Sequence, residues 1–449
     1  MSALTAVRGF KDILPEEIGP WSLIEGKARD LAGRFGFKEI RVPVLERTEL
    51  FARGIGDATD IVEKEMYTLE DRGGDRITLR PEATAGIARA VIEHSLLASA
   101  RTSRLFSIGP MFRYERPQKG RLRQFHQLDC EIFGDPGPWA DAEVISLLWS
   151  LLSELVIPGL TLAVNTLGCP RCRPGYREKL VRFLSGEKDR LCPDCLRRLD
   201  RNPMRVLDCK NPGCRELALA APRISDSVCP ECGEHFDGVL KALSSLGLSP
   251  ELDPLMVRGL DYYARTAFEV LSGGLGAQNA VAGGGRYDGL LAALGGPDLP
   301  GIGFAAGLER LTLLLPPQSP APGPDYYLAP LCPEALEPLF RLAGDLRSRG
   351  LSVVADWESG SLKSRLKKAD RSAARRIVMV GGDELKGGYA LVRDMTTKEQ
   401  ARASLEDLKP LAGPDGTVEG PVPATPGPPN PASDGTQNDD RDHLAAPVL

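Results

Sequence analysis

The chain has 449 residues, 42% of them hydrophobic, which is room for two to four domains and a large buried core. Its net charge is −5, and Asp415, Glu419, Asp434, Asp439, Asp440 and Asp442 against Arg441 carry all of it, leaving a neutral body suited to selective contact with RNA or nucleotides rather than bulk coating of nucleic acid. No apolar run approaches about 18 residues and MSALTAVRGFKDILP has no apolar h-region, which argues against a transmembrane helix and a secretory signal. Ten cysteines, eight of them in tight pairs, read as metal ligands in a reducing compartment, the cytoplasm, rather than as a disulfide framework.

In chain order, Trp21, Ile24, Ala28 and Leu31 recur at helical spacing over 19–35, and Gly36 closes that helix. FKEIRVPVLE is strand-like, with Pro43 marking an edge or a bulge. ITLRPEATAGIARAVIEH is a short strand followed by a helix starting near Pro81. Next comes FRYERPQKGRLRQFHQ, from Phe112 to Gln127, flanked by LFSIGPMF and FHQLDCEIF. This is two strands joined by a long loop in which Arg113, Arg116, Lys119, Arg121 and Arg123 face one acid, Glu115. Guanidiniums fork onto phosphate oxygens, so such a hairpin can hold a polyanion against a sheet. A helix from about Asp141 to Leu155 and the strand TLAVNTLG lead into a cysteine-rich segment, 169–235. MVRGLDYYARTAFEVLSG and AVAGGGRYDGL supply strands and a glycine-rich turn, and PGIGFAAGLERLTLLL is a strand feeding a helix. PPQSPAPGPD is a linker by composition. YYLAPL, a helix, LSVVAD, a basic helix over 361–376, RIVMVG and YALVRD then alternate as a compact α/β domain. From about Leu411 the chain is too poor in large apolar residues to pack and is expected to be disordered.

The helix and strand ending in Pro43, the FRYERPQKGRLRQFHQ hairpin and GIGFAAGLERL resemble motifs 1, 2 and 3 of class II aminoacyl-tRNA synthetases. RGLDYYARTAFE (258–269) and AGGGRYDGL (282–290) resemble the two signature segments of the histidyl-tRNA synthetase family, and the likeness runs from about residue 6 to 408. The resemblance implies an α+β fold: a class II catalytic domain with a mainly antiparallel sheet (1–168 and 251–315) and a C-terminal α/β anticodon-binding domain (325–410); composition adds a Cys-rich insertion (169–250), zinc-binding by its cysteine spacing, a linker (316–324) and a disordered tail (411–449). It also implies a homodimer with motif 1 at the interface, and ATP, Mg²⁺, L-histidine and histidine tRNA as substrates and partners.

Adenylation of histidine needs positioning and charge stabilisation at the α-phosphate. By resemblance, Arg113 and the family's distinctive Arg258 are the catalytic groups there, and Arg310 and Arg121 serve the distal phosphates. Glu131 and Tyr263 face the imidazole, Glu82, Thr84 and Gln127 hold the α-amino group, and Tyr262 and Tyr287 line the pocket. Arg116 and Gln118 read the tRNA acceptor end, and the basic helix 361–376 (Lys363, Arg365, Lys367, Lys368, Arg371, Arg375, Arg376) contacts RNA phosphates. Gly283, Gly284 and Gly285 let backbone approach the ligand. Two departures stand out. Ala83 and Asp129 occupy positions where small residues are familiar, and Asp129 is expected on the strand face opposite Gln127 and Glu131, away from the chemistry.

The cysteine pairs Cys169/Cys172, Cys192/Cys195, Cys209/Cys214 and Cys229/Cys232 suit two Cys₄ zinc sites, while Cys130 and Cys332 fall outside and read as structural. Tyr176, Leu180, Phe183 and Leu184 predict a helix over 173–186, about 21 Å long, so pairs one and two cannot share an ion. A second helix near 192–201 returning the chain predicts interleaving: Cys169, Cys172, Cys209 and Cys214 at one site, Cys192, Cys195, Cys229 and Cys232 at the other. The alternative function is the regulatory subunit of an ATP phosphoribosyltransferase, a catalytically silent relative. Arg113, Arg258, Arg310 and the 325–410 domain favour the enzyme. A general RNA-binding protein would leave GLERL and RGLDYY unexplained.

Overall fold

The computed structural model describes residues 4–56, 59, 61–98, 100–118, 120–257, 262–275, 279–317, 322–358 and 360–404. Arg258, Lys119 and the tail lie outside these residues. The chain divides into two compact units, Met1–Ser319 and Pro320–Leu449.

The first unit opens with α1 (Ile18–Arg34), β1 (Lys38–Glu39), β2 (Leu45–Arg47), α2 (Thr48–Ile55), β3 (Tyr67–Glu70), β4 (Arg76–Leu79) and α3 (Thr84–Glu93). The hairpin β5 (Ser103–Phe112) and β6 (Gln124–Phe133), α4 (Pro138–Glu154) and β7 (Leu160–Thr166) follow. The insertion contributes α5 (Arg173–Ser185), α6 (Pro193–Arg201), α7 (Pro212–Leu219) and α8 (Pro230–Ser245). The unit closes with β8 (Glu251–Leu252), β9 (Ala264–Ser272), β10 (Ala280–Arg286), α9 (Leu290–Ala293), β11 (Gly301–Gly307) and α10 (Leu308–Leu314).

The eight-stranded sheet runs β1-β5-β6-β11-β10-β9-β7-β8. Its pairs are antiparallel except at the edges, where β1 meets β5 and β7 meets β8 in parallel. Strand alternation splits its faces. Leu128, Cys130 and Ile132 of β6 join Trp21, Ile24, Ala28 and Leu31 of α1 and the apolar length of α4 in one core. On the other side Phe133 and Met111 pack with Ile87 and Val91 of α3 and with Tyr287. FKEIRVPVLE is not one strand. β1 pairs with β5, β2 pairs with β4 in a separate three-stranded sheet, and Pro43, without an N–H to donate, lies between them.

The second unit holds β12 (Tyr326–Pro330), α11 (Leu336–Ser348), β13 (Val353–Ala355), α12 (Leu362–Arg371), β14 (Arg376–Val380), α13 (Gly382–Lys386), β15 (Tyr389–Asp394) and β16 (Gln400–Ser404). Its sheet, β13-β12-β14-β15-β16, is parallel through β14 and antiparallel beyond. The basic helix is shorter than its charge run. It ends at Arg371, Arg375 and Arg376 follow it, and Arg365 is buried against Asp356. Lys363, Lys367, Lys368 and Arg371 keep exposed positions.

Candidate active site and cysteine clusters

The long loop of the β5–β6 hairpin is fixed from both sides. Tyr114 N–H donates to Glu65 O at 2.6 Å and Arg123 N–H to Gly9 O at 2.8 Å. The Arg123 guanidinium lies 3.8 Å from the centre of the Tyr114 ring. Under this loop is a cavity of about 320 Å³ whose lining includes Arg113, Arg121, Gln127, Tyr263, Gly283 and Arg310. Arg113 Nε donates to Pro81 O at 2.8 Å, and Arg310 donates to Ala280 O at 2.5 Å and Gly120 O at 3.4 Å. Arg121 pairs with Glu115. Burial first, then repulsion from Arg121 and Arg113, lowers the pKa of Arg310; burial, then Arg113, lowers that of Arg121. Three cations converge here with two of them anchored by neutral carbonyls, so their charge is left for an anionic ligand.

Beside the cavity, past its lining residues Gln127 and Tyr263, lies a buried acidic group. Glu82 accepts from Thr84 N–H at 3.1 Å and Ala85 N–H at 2.8 Å at the start of α3, and Tyr262 OH lies 3.5 Å from it. Glu131 accepts from Thr84 Oγ1 at 2.6 Å and from Tyr287 OH. Gly303 leaves room for Glu131, since a Cβ there would fall 1.6 Å from its Oε2. The Tyr262 ring centre lies 4.8 Å from that of Tyr263 and 5.5 Å from that of Tyr287. Burial raises the pKa of Glu82 and pushes Glu131 well up, partly offset by the Thr84 and Tyr287 hydrogen bonds. The structure thus brings Glu82, Thr84, Glu131, Tyr262, Tyr263 and Tyr287 together. The Thr84 hydroxyl is committed to Glu131. Arg116 and Gln118 are exposed on the loop, outside the cavity.

The face assigned to Asp129 is corrected. Side chains two apart on a strand share a face, so Gln127, Asp129 and Glu131 point the same way. Asp129 is fully buried, neither carboxylate oxygen has a hydrogen-bond partner, and burial followed by the Glu82 charge pushes its pKa well up. Buried Gln127 Oε1 is likewise unpartnered. The glycines of β10 also divide: Gly283 lines the cavity, whereas a Cβ at Gly284 would come 2.0 Å from Gly303 O, and one at Gly285 2.8 Å from the Tyr263 ring. Those two allow the protein to close on itself.

Other residues here escaped the sequence reading. Glu309, beside Arg310, accepts from His126 N–H at 2.9 and 3.0 Å. Arg286, fully buried, donates to Asp141 and to the carbonyls of Asp135 and Gly137 at 2.9 and 3.0 Å. Their signal was the charge of an otherwise apolar motif.

The cysteines form two groups of four, with the sulfurs of each within 4.8 Å of one another. Cys192 and Cys229 are N-caps with Pro at the first helical position, so Cys195 and Cys232 return on the same turn. The grouping corrects the interleaved expectation: Cys169, Cys172, Cys229 and Cys232 form an outer cluster, Cys192, Cys195, Cys209 and Cys214 an inner one. α5 does separate the first two pairs. However, α6 spans only about 13 Å, and the turn at Pro203–Val206 packs back on it. That turn returns Cys209 and Cys214 to the second pair, where Cys192 N–H donates to Cys214 Sγ at 3.2 Å. The first pair is completed by the start of α8. Burial opposes ionisation of Cys169, but the N–H groups of Cys172 and Arg171 and neighbouring thiols hold its pKa at about 6; the Cys195 N–H holds Cys192 at about 7.

Comparison with known proteins follows the same outline. The family model described as histidyl-tRNA synthetase matches residues 9–172 and 212–311, and that of the anticodon binding domain matches 325–411. A histidine–tRNA ligase of Nitratidesulfovibrio vulgaris is 52% identical over 401 residues, covering 89% of this chain and 96% of its own length. One from Desulfatibacillum aliphaticivorans is 51% identical over 404 residues, covering 90% and 96%. The crystal structure of apo histidyl-tRNA synthetase from S. aureus aligns with a TM-score of 0.76 at 34% identity, covering 90% of this chain and 98% of that one. The chain therefore belongs to the histidyl-tRNA synthetase family: it is a class II aminoacyl-tRNA synthetase, a histidine–tRNA ligase and not the regulatory-subunit alternative.

Proposed function

We propose that the cavity under the hairpin loop is where ATP and histidine meet, and that the cavity and the acidic group beside it divide the substrates between them. The carrying observation is a change of polarity, with Arg113, Arg121 and Arg310 converging on the cavity and Glu82, Asp129 and Glu131 buried beside it, past its lining residues Gln127 and Tyr263. Histidine brings an ammonium and an imidazole to the acidic group, and its carboxylate points toward the arginines. A carboxylate oxygen attacks the α-phosphorus, the bond to the bridging oxygen breaks, and pyrophosphate leaves. Arg113 and Arg258 stabilise charge at the α-phosphate, while Arg310 and Arg121 hold the distal phosphates. Bound Mg²⁺ would neutralise further phosphate charge, and Glu269 and Glu309 are the carboxylates whose fields reach Arg310. Glu131 and Tyr263 recognise the imidazole, Glu82, Thr84 and Gln127 the ammonium, and Tyr262 and Tyr287 wall the pocket. The terminal ribose hydroxyl of histidine tRNA then attacks the activated carbonyl and AMP leaves. Arg116 and Gln118 are exposed where an acceptor end could meet them.

The eight paired cysteines fit two structural zinc ions. Tetrahedral Zn–S bonds of about 2.3 Å place sulfurs about 3.8 Å apart. The Cys169–Cys172, Cys169–Cys229 and Cys192–Cys209 separations are 3.7, 3.9 and 3.9 Å. We further propose a cytoplasmic homodimer joined through motif 1, where Ile18, Val44 and Leu45 are exposed; light scattering tests the dimer. No helix among the described residues is long and apolar enough to cross a membrane. Histidine-dependent ATP–pyrophosphate exchange tests the site: exchange with histidine alone among the standard amino acids is expected, and its absence from folded, metal-replete protein overturns the assignment.

A further inference from the structure

The outer cysteine cluster stands where the insertion meets the catalytic sheet, and two lines of contact leave it for the histidine pocket. The first starts at Cys169, three residues beyond the end of β7. Gly168 has φ +62°, and a Cβ there would sit 2.8 Å from Cys172 Sγ. Arg265 N–H donates to Gly168 O at 2.8 Å, and Leu167 N–H to Arg265 O at 2.6 Å. Arg173, directly after Cys172, donates to Leu167 O at 3.2 Å, Gly168 O at 3.4 Å and Tyr263 O at 2.5 Å. The cysteine turn thereby holds the backbone of a residue that lines the cavity.

The second line runs along α8, which begins at the other cysteine pair. One turn beyond Cys232, His235 Nε2 meets Asp141 Oδ2 at 2.8 Å, and its Nδ1 faces Arg265 at 3.4 Å. Asp141 accepts from Arg286 Nε at 3.0 Å. The residue after Arg286 is Tyr287, whose hydroxyl donates to Glu131. By contrast, the backbone partners of the inner sulfurs, at Arg190, Cys192 and Asn211, all lie within the insertion.

We propose that an ion of the zinc class in the outer cluster positions the histidine pocket, by fixing the starts of α5 and α8 and with them Arg173 and His235. The inner ion acts within the insertion. This rests on the zinc reading above. Four metal–sulfur bonds fix two helix starts to a fraction of an ångström, and a misplacement of about 1 Å in a binding site can cost on the order of a hundredfold. Arg173 and His235 are positioning residues, so their loss should appear in histidine KM rather than in ATP KM or turnover.

The test uses the full chain, metal analysis and exchange kinetics. About two zinc ions per chain are expected. Cys229→Ser should lose one and raise histidine KM about tenfold with ATP KM and kcat little changed, and Cys229→His, which keeps a zinc ligand, should restore both. Cys209→Ser should also lose one ion but move histidine KM less. Arg173→Gln should keep both ions and raise histidine KM, which serves if Cys229→Ser fails to fold. A chain without zinc overturns the metal reading. Zinc present in wild type, with histidine KM unmoved in Arg173→Gln or moved equally by Cys209→Ser and Cys229→Ser, overturns the positioning role alone.

Discussion

The cavity and the acidic group beside it are built on opposite rules. Where the phosphates are proposed to bind, Arg113 and Arg310 lean on backbone carbonyls, which satisfy N–H groups without cancelling charge. Arg121, paired with Glu115, is an exception. In the acidic group proposed for histidine, Glu131 is held by hydroxyls and Glu82 by N–H groups, and the Asp129 oxygens have no hydrogen-bond partner. Arg286 follows the other rule: it is fully buried and pairs with Asp141. The partner of a buried charge thus separates a group kept available for a ligand from one committed to the fold.

The sharpest way to break this distinction is to remove each kind of arginine. Arg286→Met leaves Asp141 buried without its main counter-charge and should cost about 3–5 kcal/mol of stability in urea unfolding. A loss below about 1 kcal/mol would show Arg286 to be no structural pair. Arg113→Ala should lower the adenylation rate roughly 10²–10³-fold, about 2.7–4 kcal/mol, with stability nearly intact. A mutant that unfolds while the surviving fraction turns over normally would reverse its role. Gly303→Ala places a methyl group where Glu131 Oε2 now lies. It should cost about 1–3 kcal/mol and raise histidine KM while sparing ATP KM; equal effects on both would contradict the division of the substrates.

The smallest effect concerns pH. Burial raises the folded-state pKa of Asp129 above its unfolded value. Between those values the native state binds more protons than the unfolded state, so stability falls as pH rises from about 4 toward the folded pKa. Without histidine, Asp129→Asn should flatten that part of the stability curve, and an unchanged slope would assign the dependence to Glu82 or Glu131.

Much of this was legible in the sequence because it is local. The hairpin strands, α5 and the strand–helix of GIGFAAGLERL each follow from periodicity and turn residues. Pro43 signalled a break, but which sheets its flanks would join depended on distant partners. The family motifs brought the pocket residues to one place. What failed depended on three-dimensional closure. Cysteine spacing set the pairs but not their grouping, because the return path was made by a turn rather than by the length of α6. Arg365 belonged to a basic run, yet its position turns it inward to Asp356. Asp129 was misplaced although strand period alone assigns its face.

The cysteine clusters are nested like brackets, and this orders their assembly. Cys192 and Cys209 are 17 residues apart, Cys169 and Cys229 60. Loop-closure entropy favours the inner contact first by about 1 kcal/mol, and its closure then shortens the path the outer one must close. In a stopped-flow metal-uptake trace the inner site should fill before the outer, and under a chelator the outer should empty first. The ion proposed to position the histidine pocket would then be the last to arrive and the first to leave, so a zinc-starved cell would retain folded enzyme of weakened histidine affinity that recovers on resupply without new synthesis.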